Sequence, residues 1–328
     1  MEYRRLGRTG REISAIGFGA WQIGGADWGD VDDDASLRTL HAAADAGITF
    51  FDTADVYGDG RSERVIGRFL RERPDPRFVV ATKMIRRAPL DPSLYTPEQF
   101  RAWLDRSREN LGVETIDLVQ LHCPPTQTFY MPEVFGALDE LVADRVIAAY
   151  GVSVEKVEEA LKAIEYPGVA SVQIIFNMFR QRPADRFLEE AERRDVGVIA
   201  RVPLASGLLT GRYAPDTAFA ATDHRVYNRE GASFDRGETF AGVDYEAGLA
   251  AVEELRSLVP ADATMAQWAL RWILGHEGIT TAIPGAKTPE QARANAAAAD
   301  LAPIPPEIIE RVREVYTSRI KPLVHQRW

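Results

Sequence analysis

Short apolar runs recur along the chain. Between them lie longer stretches whose apolar residues return every three or four positions. The first kind reads as strands covered on both faces, the second as helices with one buried stripe. Strands are predicted over Ala15 to Phe18, Ile48 to Asp52, Phe78 to Lys83, Ile116 to His122, Ile147 to Ser153, Ser171 to Asn177, Val196 to Val202 and Ile279 to Pro284. Helices are predicted over Asp33 to Ala46, Ser62 to Glu72, Pro97 to Leu111, Pro132 to Asp144, Glu155 to Ile164, Arg186 to Arg194, Met265 to Leu274 and Pro289 to Ala298. Gly47 and Gly112 stop two of them. Thr288-Pro289-Glu290-Gln291 reads as a capping box with proline at the first helical position.

Strand followed by helix, repeated through eight strands, implies a parallel sheet with right-handed crossovers. Eight such units close into an α/β fold of the (β/α)8 TIM-barrel type. The alternative, an open doubly wound sheet, usually shows GxGxxG after its first strand. Here Gly17-Phe18-Gly19 runs into Ala20-Trp21-Gln22, so that fingerprint fails. Tyr3 to Ser14 reads as an N-terminal β-hairpin, turning at Gly7 and Gly10 and placed to plug one end. The alternation breaks between Val202 and Met265. Tyr213 to Gly242 is polar and Gly-rich, and Tyr245 to Leu258 reads as an extra helix. This insertion after the seventh strand belongs to the C-terminal face, where a long loop is expected to be a lid or binding loop.

Composition narrows the function classes. The 328 residues are 45% hydrophobic and are read as a single barrel domain, 1–328. Lys and Arg number 39 against 49 Asp and Glu, a net charge of −10, and no basic block exists. Nucleic acid and anionic membrane are therefore not expected partners. No apolar run approaches the roughly 20 residues of a membrane span. Met1-Glu2-Tyr3-Arg4-Arg5 lacks the apolar stretch of a signal peptide. The single cysteine, Cys123, excludes an intrachain disulfide and a Cys-rich zinc site, which makes the reducing cytoplasm the default location. Histidines at 41, 122, 224, 276 and 325 show no HExxH spacing, and no metal site is expected. The oligomeric state stays open.

Three neighbouring strands end in ionisable groups: Asp52, Lys83 and His122, with Tyr57 within loop reach of Asp52. Singly, each is most often a cap, a solvated charge or a packed ring. At the C-terminal ends of adjacent barrel strands they converge on one face. A tyrosine with a pKa near 10 holds its proton at neutral pH. An ammonium about 4 Å away, at an effective dielectric near 20, contributes roughly 4 kcal/mol toward releasing it. Lys83 is assigned that part, Asp52 keeps Lys83 charged, and His122 orients a carbonyl oxygen. The set is a general acid for reducing a C=O group. It has no nucleophile with an attendant base, so hydrolysis fits poorly.

With these residues in place the sequence resembles the aldo-keto reductases over essentially its whole length. The resemblance rests on Gly17-Phe18-Gly19-Ala20-Trp21, Asp52 to Gly58, Lys83, Leu121-His122, Gly151-Val152-Ser153, Gln173 with Asn177, Pro203 to Gly211, and Ile283 to Lys287 with Gln291 and Asn295. It implies a barrel binding a nicotinamide cofactor, NADPH with NADH possible, across its C-terminal face. Asp52, Tyr57, Lys83 and His122 match the catalytic tetrad, with Tyr57 as proton donor to a small carbonyl substrate. It places Trp21 and Gln22 by the nicotinamide ribose and Ser153 and Gln173 at the carboxamide, and counts Gly19, Asp52, Arg201, Val202 and Gly211 among the further cofactor contacts. Pro203, Leu204, Ser206, Gly207 and Leu208 fall to the pyrophosphate. Lys287 and Gln291, at the start of the last helix, fall to the adenosine phosphate, and Pro284, Gly285, Ala286 and Asn295 are counted as further cofactor contacts. Many relatives have an aromatic residue and a serine where this chain has Arg201 and Val202, and an arginine where it has Gln291. Lys287 is then the basic residue expected to meet a 2′-phosphate.

The substrate pocket is expected to be lined by Trp21, Trp28, Phe129 and Tyr130 beside Tyr57 and His122, with Trp328 closing it. Such a pocket, aromatic and poor in charge, favours a small apolar aldehyde or ketone. Two competing readings are a cofactor-binding regulatory subunit with an intact tetrad, and a barrel isomerase or lyase.

Overall fold

The computed structural model of the protein describes residues 1–29 and 31–328. β1 (Tyr3–Arg5) and β2 (Glu12–Ser14) pair antiparallel as the hairpin. Eight parallel strands follow in sequence order around one sheet: β3 (Phe18–Gly19), β4 (Phe50–Asp52), β5 (Val79–Met84), β6 (Leu118–His122), β7 (Tyr150–Ser153), β8 (Val169–Ile175), β9 (Gly197–Arg201) and β10 (Thr281–Ala282). Parallel bridges from Ile16 to Ala282 and from Gly19 to Gly285 join the first strand to the last and close the (β/α)8 barrel. Gly19 is required there, because a Cβ would sit 2.6 Å from the Ile283 carbonyl oxygen. The helices α1 (Asp33–Asp45), α2 (Arg61–Glu72), α3 (Pro97–Leu111), α4 (Pro132–Ala143), α5 (Val157–Ala163), α6 (Phe187–Arg193), α9 (Met265–Leu274) and α10 (Pro289–Ala297) surround the strands. The insertion adds α7 (His224–Tyr227) and α8 (Tyr245–Arg256), and α11 (Pro306–Val315) leads to the C-terminal segment. Among the described residues no helix is long and apolar enough to cross a membrane.

The barrel interior is built by alternation along each strand. Phe50, Val79, Ala81, Leu118, Ile199 and Ile283 point inward and pack on Leu6 and Ile13 of the hairpin. The hairpin therefore plugs the barrel. Its turn brings Gly7 so close to β9 that a Cβ would lie 2.3 Å from the Gly197 nitrogen. Phe51, Val80, Val119 and Val198 point outward into the helix layer. Two positions beyond the inward residues, the same parity delivers Asp52, Lys83, Gln120 and Arg201 to the interior above the apolar layer.

Several strands start later than their apolar runs. Thr49 bonds the Ser14 backbone through its hydroxyl at 2.9 Å, in place of a ladder contact, so β4 begins at Phe50. At the other end of β8, Asn177 leaves the strand: its Nδ2 donates to the Val202 carbonyl and its Oδ1 accepts from Phe179 N. The capping box expected at α10 is only half formed. Gln291 N donates to Thr288 Oγ1 at 3.3 Å, but Gln291 Oε1 accepts from Lys287 N rather than from Thr288.

Candidate active site

Parallel register sets the four charged and aromatic groups side by side. Asp52 on β4 faces Ala81, Lys83 on β5 faces Gln120, and His122 on β6 faces Ser153. The fully buried Lys83 Nζ donates to Asp52 Oδ1 at 2.5 Å and to the Thr53 carbonyl at 2.8 Å. Asp52 Oδ2 accepts from Gln173 Nε2 at 2.7 Å and from Gln120 Nε2 at 3.2 Å. Three donors thus hold one buried carboxylate, as a charge in so dry a place requires. The turn after β4 brings the Tyr57 ring to 5.2 Å from Lys83 Nζ and edge-on to His122 at 5.9 Å.

Electrostatics here differ from the sequence expectation. Loss of water, with the carboxylates of Asp52 and Glu238, pushes the Tyr57 phenol well above its usual range, against the pull of Arg86 and Arg201. Lys83 Nζ lies over the ring with its charge paired to Asp52, and it is not among the largest influences on the phenol. Burial lowers the pKa of Lys83 itself, against the pull of Asp52. Burial, Arg86, Lys83 and Arg201 hold His122 well below its usual range. At neutral pH Tyr57 keeps its proton and His122 is neutral. That is a set ready to give a proton, not to take one.

These groups open onto a cavity of about 420 Å³. Its wall includes Gly19, Trp21, Gln22, Trp28, Asp52, Tyr57, His122, Gln173, Arg201, Val202, Pro203, Leu204, Ser206, Gly207, Pro284, Gly285, Lys287, Gln291 and Asn295. Lys83, Ser153, Leu208, Gly211 and Ala286 stand outside this lining. Ser153 Oγ lies 3.5 Å from Cys123 Sγ, and Leu208 and Ala286 are core residues. Gln173 reaches the wall, though its amide nitrogen serves Asp52. A row of rings runs outward from Tyr57: Trp21 stacks on it at 5.9 Å, and Trp28 meets Trp21 edge-on at 5.5 Å. Beyond them are cations. Arg225 lies 4.8 Å over Trp28, and Lys287 Nζ is 5.8 Å from the same ring, donating to the Trp28 carbonyl. Arg225 is already paired with Asp223 at 2.5 Å, whereas Arg212, also on the wall, has no ion-pair partner among the described residues. Lys287 is therefore not the lone cation there. Arg212 and Arg225 come from the insertion, whose contacts no local pattern discloses.

Phe129 and Tyr130 do not reach the cavity. Phe129 is fully buried in the helix layer, and Tyr130 is 65% exposed with Lys162 over its ring. Trp328 does not close the pocket either. Its Nε1 donates to Asp235, and Arg180 lies 4.1 Å over its ring, so it clamps the insertion from behind. Tyr213 is the insertion's ring on the cavity wall, and the fully buried His224 packs behind the row, 4.8 Å from Trp21 and 4.7 Å from Trp28. Burial pushes the His224 pKa down to about 4. Tyr227 hydrogen-bonds Asp27, which also accepts from Trp21 Nε1.

The corner beside His122 is charged, contrary to the apolar pocket expected. Arg86 donates to the His122 carbonyl at 3.2 Å and to Glu238 at 2.8 Å. Arg201 pairs with Glu155 at 2.8 Å and lies 3.7 Å from Glu238. Cys123 Sγ and one oxygen of each glutamate lie within 4.8 Å of one another. Two guanidiniums already pair with these side chains, burial pushes Glu155 up to about 7 and the thiol up to about 12, and all of this opposes a metal cation.

Comparison with known proteins agrees with this architecture. An aldo-keto reductase of Bacillus subtilis is 30% identical over 306 residues, covering 90% of this chain and 87% of that protein. A probable voltage-gated potassium channel β subunit of rice is 27% identical, covering 98% of each. The solved structure of a glycerol dehydrogenase from Gluconobacter oxydans superposes with a TM-score of 0.78 at 31% identity, over 97% of this chain and 96% of that one. The model of the Aldo/keto reductase family matches residues 15–317, and the chain belongs to that family.

Proposed function

We propose that the protein is an NAD(P)H-dependent reductase of aldehydes or ketones. The observation that carries this reading is the Tyr57 phenol, protonated, beside the Asp52–Lys83 pair and the neutral His122 on one cavity wall. The residues suit a dinucleotide. A wall running from Tyr57 past Trp21 and Trp28 to three cations and the start of α10 is polar where phosphates require it. His122 Nδ1 and Arg201 Nε are buried without hydrogen-bond partners among the described residues. When bound, the reduced nicotinamide supplies the hydride. Tyr57 gives its proton to the substrate oxygen, His122 orients that oxygen, and Asp52 with Lys83 fixes the floor of the site. A carbonyl panel read by loss of near-ultraviolet absorbance, with NADPH and NADH in parallel, tests this. The likeness to a channel subunit favours a second reading, a cofactor-binding partner subunit. Tight cofactor binding with no turnover on any carbonyl would support that instead.

The three cations bear on cofactor choice. NADPH is expected to bind more tightly than NADH, because a charge-assisted contact to the 2′-phosphate is worth about 1.5–3 kcal/mol, or about 10- to 150-fold. Lys287→Ala should weaken NADPH by about the lower figure, since the unpaired Arg212 remains on the wall, and leave NADH nearly unchanged. Tryptophan-fluorescence titrations decide it. Parallel weakening of both cofactors would mean that Lys287 merely supports the Trp28 loop.

The insertion is expected to protect and be protected. Residues 214–222 are mostly exposed, and Arg212 and Arg229 offer trypsin sites around them. Saturating NADPH should slow cleavage at Arg212. Equal cutting with and without cofactor would show that the insertion does not close over it.

A further inference from the structure

We infer that Asp55 is a positioning residue under proton control: as the neutral acid it leaves the turn that carries Tyr57 in working order, and once ionised it draws Arg106 and Arg87 off that turn. This deepens the reductase reading and rests on its choice of Tyr57 as proton donor. Asp55 stands two positions before Tyr57 in the turn after β4, and its backbone N–H donates to the Lys83 carbonyl at 3.1 Å. It is 2% exposed, and neither carboxyl oxygen has a hydrogen-bond partner among the described residues. A buried polar group left so is costly and calls for a reason. The fully buried Glu63 of α2 is close but occupied: its oxygens accept from Thr82 Oγ1 at 2.6 Å and from Asn110 Nδ2 at 2.9 Å. Its charge opposes a second carboxylate beside it.

Two guanidiniums act on Asp55, and both are engaged four positions further on. Arg87, after β5, pairs with Asp59 at 2.8 Å. Arg106, on α3, donates through Nη2 to the Asp59 carbonyl and carboxylate, each at 2.9 Å, and Arg64 reaches the same carbonyl at 3.3 Å. Arg106 Nη1 is buried and has no acceptor among the described residues. Asp59 is therefore the anchor of the turn. It sits at φ 52° between Gly58 at 58° and Gly60 at 83°, three successive left-handed residues that outside contacts must hold. Gly58 packs on the loop after Trp21, where a Cβ would lie 2.0 Å from the Gly24 carbonyl oxygen. The charged side chains acting on Asp55 are Glu63 from α2, Arg87 from the loop after β5 and Arg106 from α3. Burial and Glu63 outweigh the two arginines and raise the Asp55 carboxyl to about 7. Below that pH the arginines stay on Asp59. Above it a buried carboxylate competes for them, and the idle Nη1 of Arg106 is already inside.

Asp55→Asn keeps the shape of the side chain and cannot ionise. With NADPH and a reducible carbonyl, wild-type kcat should fall about tenfold from pH 6 to pH 8, as one group titrating near 7 dictates. Asp55→Asn should lose that fall, apart from a background that Glu155, also raised to about 7, gives both proteins. Identical pH profiles overturn the inference. Asp59→Asn tolerates the left-handed turn and releases both guanidiniums from its carboxylate, so it should move the midpoint to lower pH. An unmoved midpoint also overturns it. Stability gives a second readout without turnover. Asp55 holds its proton more tightly folded than unfolded, where its pKa is near 3.9, so its contribution to stability falls as pH rises from about 4 to 7. Asp55→Asn should therefore raise the urea midpoint over wild type at pH 8, and by less at pH 5. A variant less stable than wild type at pH 8 would mean an ionised, paired Asp55 and would end the inference. If Asp55→Asn does not fold, the Asp59→Asn profile decides alone. If no carbonyl is reduced, the reductase reading falls, and the urea comparison still decides whether Asp55 is held neutral.

Discussion

Replacing Tyr57 with phenylalanine is expected to lower kcat for carbonyl reduction by at least about a hundredfold, the lower end of what a positioned acid contributes. The ring would still stack on Trp21 and meet His122, so the pocket keeps its shape. What is lost is the proton. His122 cannot take over near neutral pH, because burial and three nearby cations keep it neutral. NADPH affinity should hardly change. A Tyr57→Phe protein that keeps most of its activity on a good substrate would show that the proton comes from elsewhere.

Lys83→Met should damage both activity and stability. Methionine nearly fills the space of the lysine stem but leaves Asp52 buried with only the amides of Gln120 and Gln173. Breaking one side of a buried ion pair costs about 3–5 kcal/mol, and urea titration of the two proteins would read it directly. Asp52→Asn keeps a polar partner for Lys83 and should cost the chemistry less. A larger loss of kcat for Asp52→Asn than for Lys83→Met, in folded proteins, would reverse the order of importance given to the two residues.

The barrel was legible because each strand is an apolar run with a helix after it, and Asp52, Lys83 and His122 were legible because each ends such a run. Gln120 was passed over. It lies inside the run Leu118 to His122 and looks like a lone polar residue, yet its parity puts it in the same interior layer as Asp52. The Arg86–Glu238 pair could not be read at all, since 152 positions separate its members. Phe129 and Tyr130 were misplaced for the opposite reason. Their position after β6 is right for a pocket, but nothing local says which way a single helical turn presents its rings. The direction of the Tyr57 shift was missed because spacing cannot distinguish an ammonium beside the phenol oxygen from one over the ring.

Loops on the rim of a barrel are usually treated as exchangeable, because strands and helices stand without them. The loop after β9 does not fit that rule. It contributes the carboxylate of Glu238 to a compartment where the barrel itself contributes Arg86 and Arg201. Excising it would leave two guanidiniums in the dark with one partner between them. Transplanting it to a related barrel without those arginines would bury an unmatched anion. Any chimaera that moves this loop to alter selectivity must move the two arginines as well, and the three positions should be inherited as a set.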